Sequence, residues 1–143
     1  MGLKLIDHGG VEYRKMVDLR DKILRKPIGL GFTEDELEKE KDEILIGSYD
    51  EEDMLGCCVL TKVDNDRLRL RQMAVLDSVQ GKGIGASIMS FAENIARDRG
   101  YKYMVMHARN TALGFYEKLG YKVKGEEFTE VGLPHHIMEK ELV

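Results

Sequence analysis

The stretch that decides the reading is Arg67-Leu68-Arg69-Leu70-Arg71-Gln72-Met73-Ala74-Val75-Leu76, followed by Asp77-Ser78-Val79 and then by Gln80-Gly81-Lys82-Gly83-Ile84-Gly85. Leu68, Leu70 and Gln72 alternate with Arg67, Arg69 and Arg71, the period of a half-solvated strand. Met73 to Leu76 then breaks that alternation with four apolar residues. A strand that changes in this way is expected to become buried on both faces and to bulge. Beyond the glycines, Ile88, Phe91, Ala92 and Ile95 fall at i, i+3, i+4 and i+7, which predicts an amphipathic helix over 86–99. Basic Arg97 and Arg99 in its last turn and Gly100 after it suit a C-terminal end.

Working outward, Leu3 to Asp7 reads as a short strand and Val11 to Arg25 as a helix closed by Pro27 and Gly29. Thr33 followed by Glu34, Asp35 and Glu36 is a cap with acids in a first turn, so a second short helix runs toward Lys41. The acidic run from Thr33 to Glu43 is expected to face solvent. Ile44 to Tyr49 and Met54 to Val63 are two further strands. On the other side, Tyr103 to His107 reads as a short buried strand, and Ala112, Phe115, Tyr116 and Leu119 as a helix with Phe115 in the core. Tyr121 to Phe128 and His136 to Leu142 are closing strands joined through Gly132 and Pro134. The order β-α-α-β-β-β-α-β-α-β-β predicts an α/β fold: a mixed sheet of about seven strands with about four helices on its faces.

Composition sets the outer bounds. At 143 residues the chain fits one domain, 1–143, able to bury roughly two-thirds of its unfolded surface. Charged residues at 34% and hydrophobic ones at 43% exclude a solvated disordered tail. No run approaches the ~18 apolar residues of a membrane helix. A net charge of −4 argues against broad nucleic-acid binding. The opening Met1-Gly2-Leu3-Lys4-Leu5-Ile6-Asp7 places an acid where a secretory leader would continue its apolar run, so a cytoplasmic location is expected. Cys57 and Cys58, adjacent in an apolar run, point to opposite strand faces and read as small buried hydrophobes rather than a disulfide.

The glycine run carries the chemistry. Gly81, Gly83 and Gly85 let backbone N–H groups turn toward a ligand, and the helix that follows offers unpaired N–H groups and the positive end of its dipole. Phosphate oxygens suit such a place, with Lys82 adding a mobile charge and Gln80 a neutral donor. A Walker loop is excluded because Gly81-Lys82 is followed by Gly83 rather than Ser or Thr. A dinucleotide fold is excluded because Asp77 to Gln80 separates strand from glycines, and the next strand lacks the ribose-binding acid.

Further on stands His107-Ala108-Arg109-Asn110-Thr111-Ala112-Leu113-Gly114-Phe115-Tyr116-Glu117-Lys118-Leu119-Gly120-Tyr121. With it the chain resembles the GNAT superfamily of acyl-CoA-dependent N-acetyltransferases. The Gln-x-x-Gly-x-Gly loop of that family matches residues 80 to 85, and its Asn…Ala-x-x-Phe-Tyr-x-x-x-Gly-Tyr element matches Asn110 to Tyr121. The tail Gly132-Leu133-Pro134-His135-His136-Ile137-Met138 is similar to that of a branch of small bacterial members without an assigned substrate.

The resemblance implies a GNAT fold in which the fourth and fifth strands splay and acetyl-CoA pairs with the fourth as a pseudo-strand. It assigns that backbone to Met73, Ala74 and Val75, with the Val75 N–H polarising the acetyl carbonyl. It places the diphosphate on Gly81, Lys82, Gly83, Ile84, Gly85 and Ala86, next to Gln80. Asn110 would bond the cofactor arm, or cap the next helix, or do both. Tyr116 matches the family's general acid beside the sulfur. The base is sought in His107 or in one of Glu126 and Glu127, since alternate neighbours on a strand cannot both face outward, and the acceptor pocket in His135 with Glu126 and Glu127. The implied function is acetyl transfer from acetyl-CoA to a primary amine, a small molecule or a peptide, by direct attack in a ternary complex. No metal is expected, and dimers are common in the family. A non-catalytic acyl-CoA-binding module is the alternative, because it would keep the same glycine loop.

Overall fold

A computed structural model describes residues 2–142. Among them are seven strands and four α-helices: β1 (Gly2–Leu5), α1 (Val11–Arg20), α2 (Glu34–Glu38), β2 (Ile44–Asp50), β3 (Asp53–Lys62), β4 (Arg67–Val75), α3 (Ile84–Asp98), β5 (Tyr103–Arg109), α4 (Leu113–Lys118), β6 (Lys122–Glu130) and β7 (Leu133–Glu141). The strand order in the sheet is β1-β2-β3-β4-β5-β7-β6, mixed as expected. By contact, the chain divides into two compact units, Met1–Thr61 with Gln72–Ala92 and Lys62–Arg71 with Glu93–Val143.

In the first unit β2 pairs antiparallel with both β1 and β3. Ile6, Tyr13, Met16, Leu19, Leu45, Tyr49, Met54, Cys57, Val59 and Ala74 form its core. Cys57 and Cys58 are fully buried free thiols, and burial pushes the Cys57 thiol up to about 12, so neither is a nucleophile near neutral pH. Thr33 caps α2 as predicted, its hydroxyl accepting from the Glu36 N–H at 3.2 Å. The first helix ends at Arg20, sooner than the expected Arg25. After Arg20 the chain makes a π turn over Asp21–Arg25 and a 3₁₀ turn over Lys26–Ile28 that contains Pro27. Pro27 has no N–H to continue the ladder. Val11, at the start of the helix, is 71% exposed.

The acidic segment is not all solvated face. Glu40 is buried, and Arg20, wholly buried, donates to its two carboxylate oxygens at 2.7 and 2.6 Å. The Tyr13 hydroxyl donates to Oε1 of the same carboxylate at 2.7 Å. Spacing could not reveal this pair, because the two residues stand 20 apart on different elements.

In the second unit β4 and β5 run parallel, with a ladder from Arg67–Tyr103 to Leu70–Met106. β7 pairs antiparallel with β5 on one side and β6 on the other. β5 alternates buried Met104, Met106 and Ala108 with half-buried Tyr103, Val105, His107 and Arg109, rather than being buried throughout. The β6–β7 turn is Val131-Gly132, both with positive φ (47° and 76°), the two-residue geometry that matches strand twist. β7 begins at Leu133, three residues earlier than predicted, and so includes Pro134.

Candidate functional site

In the first unit β4 leads into the glycine loop. Gln72 has φ +54°, a left-handed residue inside a strand, and it lies where the sequence alternation fails. Beyond it Ala74 is buried, but Met73, Val75 and Leu76 are only half-buried, so the expectation of burial on both faces is not met. A 3₁₀ turn over Asp77–Val79 follows. Gln80 folds back over it, its Nε2 donating to the Val75 carbonyl at 3.1 Å and to Asp77 Oδ1 at 3.2 Å, which braces the loop against the strand end.

Gly81 and Gly83 have φ +82° and +83°, while a Cβ added to either would meet nothing within 4 Å. Backbone conformation, not crowding, therefore requires glycine at both. The first helical bond of α3 is Ser87 N–H to the Gly83 carbonyl at 3.0 Å. The N–H groups of Ile84, Gly85 and Ala86 thus head a helix that starts inside the glycine run, two residues earlier than predicted, and have no carbonyl of their own helix to bond. Loop and helix are held to β3 through Gly56, where a Cβ would stand 2.8 Å from Ile88 Cδ1 and 3.1 Å from the Ala74 carbonyl. Gly81, Lys82 and Gly83 are exposed. Such a loop fits a diphosphate: open backbone, an N-terminal dipole and one lysine.

In the second unit Tyr116 is buried in α4, with edge-to-face contacts to Phe115 at 5.0 Å and Tyr121 at 5.9 Å between ring centres. Phe115 itself is 39% exposed and not a core residue. Tyr121 donates to Glu93 at 2.8 Å, and Lys140 reaches the same buried carboxylate at 2.9 Å. Burial and Glu93 both push the Tyr121 hydroxyl far above its ordinary range, so it stays protonated. Asn110 caps no helix. Its amide bridges β6 and β7, with Nδ2 donating to Glu127 Oε1 at 2.6 Å and Oδ1 lying 2.8 Å from His136 Nδ1.

Neither Glu126 nor Glu127 faces inward; both are exposed. The β6–β7 register shifts between Lys124 and Phe128, and Gly125 has φ +79°, so the alternation assumed across these residues is interrupted. The carboxylate brought to the histidines is Glu130. Its Oε1 lies 2.9 Å from His107 Nδ1, and its Oε2 lies 3.7 Å from Nε2 of buried His135. Arg69 Nη2 stands 3.0 Å from the same His107 Nδ1. Phe128 packs edge-on to His107 at 5.2 Å and tilted on His135 at 5.8 Å. Burial works to raise the Glu130 pKa, but the His107 hydrogen bond, Arg69 and His135 outweigh it and hold the carboxyl below its usual range. Burial, followed by the neighbouring Arg71, lowers the Arg69 pKa. Sequence reasoning named His107 and His135 and missed Glu130 and Arg69. The available signal was period two from Phe128, which places residue 130 on the same strand face.

Among the described residues no group of three or more His, Cys, Asp or Glu could hold a metal, and no helix is long and apolar enough to cross a membrane.

This architecture meets its relatives directly. Residues 32–142 match the family model of the acetyltransferase (GNAT) domain. The chain belongs to that family. It is 36% identical to YjcF, an uncharacterised N-acetyltransferase of Bacillus subtilis, over 75% of each chain. It spans about half the length of two other curated Bacillus subtilis relatives that it matches at 36% and 37% identity. Among solved structures, a Lactobacillus plantarum protein assigned to the N-acetyltransferases superposes with TM-score 0.87 at 22% identity over all of both chains. An aminoglycoside 6'-N-acetyltransferase complexed with coenzyme A superposes with TM-score 0.85 at 17% identity, over 100% of this chain and 98% of the other. At those identities the likeness is one of fold.

Proposed function

We propose that the chain acts as one catalytic domain that moves an acetyl group from acetyl-CoA to a primary amine by direct attack in a ternary complex. The observation that carries this is the loop at Gly81 and Gly83, two left-handed glycines with open space at their missing side chains, leading into the N-terminus of α3. In this reading Gly81 to Ala86 grip the diphosphate, Lys82 supplies charge, and Met73, Ala74 and Val75 offer backbone to the pantetheine arm. Asn110 bonds the arm with the amide hydrogen left over from Glu127. That a solved neighbour is complexed with coenzyme A supports the substrate assignment.

An alkyl ammonium, with a pKa near ~10.4, must lose a proton before it attacks. His107 takes that proton, either directly or through water. The amine nitrogen then bonds to the thioester carbon, and the Val75 N–H stabilises the oxyanion. As the C–S bond breaks, the thiolate takes the Tyr116 proton, and solvent restores both side chains. The acceptor is a small-molecule or peptide amine, met on the side of the protein that carries His135, and the reaction takes place in the cytoplasm. The test is a screen of amine acceptors that detects released CoA thiol, run beside Tyr116→Phe. Coenzyme A at 100 times its Kd should raise stability by about 2.7 kcal/mol in both proteins. The variant should lose rate by about 100-fold, the scale of general acid catalysis. Full activity in the variant overturns the Tyr116 role, and coenzyme A binding without transfer to any amine leaves a binding module.

A further inference from the structure

We infer that Glu130 is a positioning residue that selects the tautomer of His107 against Arg69, and so keeps His107 Nε2 free as the proton acceptor. This rests on the acyl-transfer reading above. One ring nitrogen, His107 Nδ1, has two competing neighbours at nearly equal distance: the Glu130 carboxylate at 2.9 Å and the Arg69 guanidinium at 3.0 Å. These partners demand opposite forms of the ring. A carboxylate only accepts, so a bond to Glu130 needs a proton on Nδ1; a guanidinium only donates, so a bond to Arg69 needs a bare Nδ1. In a neutral imidazole the choice at Nδ1 dictates the state of Nε2. With the proton on Nδ1 facing Glu130, Nε2 keeps its lone pair and can take a proton from an amine. With Arg69 bonded to Nδ1, the proton sits on Nε2 and the base is lost.

Glu130 wins for three reasons. Its carboxyl stays ionised, because His107, Arg69 and His135 outweigh the cost of its partial burial. Both bonds are charge-assisted, but the one from the guanidinium leaves the Glu130 anion 2.9 Å from a bare Nδ1 and facing a lone pair, whereas a proton on Nδ1 satisfies the anion. Finally, Arg69 is poorly supplied with acceptors, its Nε–H being buried without one, and the carboxylate 4.0 Å from its Nη2 offers it charge compensation without the imidazole. The Nε2 atom of His107 has no protein hydrogen-bond partner among the described residues, and the side chain is 29% exposed. Phe128 fixes the ring edge-on. His135 cannot substitute: it is 3% exposed, with Nδ1 turned to the Leu133 carbonyl at 2.9 Å. Arg69 on β4 and Glu130 on β6 meet the ring, and His135 on β7 reaches it through Glu130, so among the described residues Glu130 is the one carboxylate bonded to it.

The tautomer can be read without an acceptor, from the imidazole ¹⁵N shifts of His107 near pH 8. In the wild type the proton is expected on Nδ1. In Glu130→Met, which removes the acceptor at similar length, it should move to Nε2. Glu130→Gln, which retains a carbonyl oxygen, should fall between the two. A wild-type ring protonated on Nε2, or a Glu130→Met ring unchanged, overturns the inference. The kinetic arm uses thiol release from acetyl-CoA with the fastest acceptor of the screen. Glu130→Met should slow it about 10- to 100-fold, the scale for partners that orient a working imidazole. Coenzyme A affinity and the unfolding midpoint should change little. The same substitution made in His107→Gln should cost almost nothing further, and Arg69→Met added to Glu130→Met should recover part of the loss. Additive losses, or no recovery, overturn it. A wild type inert toward every amine defeats the acyl-transfer reading instead, while the ring shifts still decide the tautomer.

Discussion

Two carboxylates of this protein meet cations in opposite settings. Glu40 and Arg20 lie in the first unit, with side chains 5% and 0% exposed, in a paired arrangement closed by Tyr13. Glu130, in the second unit, is 40% exposed, with Arg69 at 4.0 Å and His107 at 2.9 Å. The first arrangement is matched atom for atom: two guanidinium nitrogens on two oxygens. The second is contested, since two groups of different demand converge on one ring nitrogen. Burial of a matched pair holds structure in place, whereas a contested and half-open group keeps chemistry available.

The largest effect should come from breaking the matched pair. Arg20→Met leaves Glu40 buried and short of its cation, and should cost about 3–5 kcal/mol. Adding Glu40→Leu should return most of that loss, because an apolar pair avoids desolvating either charge. Urea unfolding of the three proteins checks both statements; a mild single variant would show that the pair is not closed to water.

Gly83→Val acts on the loop. A β-branched residue at φ +83° should cost about 1–2 kcal/mol of stability and, separately, lower coenzyme A affinity at least tenfold, about 1.4 kcal/mol. Calorimetric titration with coenzyme A measures the second effect. Unchanged affinity would move the diphosphate elsewhere.

Val131→Asn should do the reverse in the second unit. Val131 is exposed and left-handed at φ 47° in a turn that favours Asn-Gly, so thermal unfolding should show a gain of about 1 kcal/mol.

The smallest effect is the acid titration of Glu130. Its folded pKa lies below the unfolded value of about 4.3, so its contribution is present above that pH and is lost as the pH falls through the folded value. The stability difference between wild type and Glu130→Gln should therefore narrow as the solution is acidified below about pH 4.3. A constant difference from pH 7 to pH 3 would show that the charge has no part in it.

The elements whose formation depends on neighbouring residues were legible. Period two from Arg67 to Gln72, period 3.6 through Ile88 and Ala92, and the Thr33 cap all state local geometry, and the observed strands and helices follow them. Errors gathered where one element answers to another. The acidic segment looked solvated until Arg20 met Glu40 across α1 and the segment after α2. Glu126 and Glu127 looked like an in-and-out pair until the Gly125 bend shifted the register. Phe115 looked like core because helical spacing does not say which neighbour covers it.

The glycine run and the apolar periodicity by themselves determined the mixed α/β order, the loop at the head of α3 and the family likeness, because backbone conformation and side-chain period are properties of adjacent residues. Tertiary structure alone decided which acid meets which base. His107, Glu130 and Arg69 come from β5, β6 and β4, and strand pairing, β4 directly on β5 and β6 through β7 with the bend at Gly125, brings Arg69 and Glu130 to one ring nitrogen of His107.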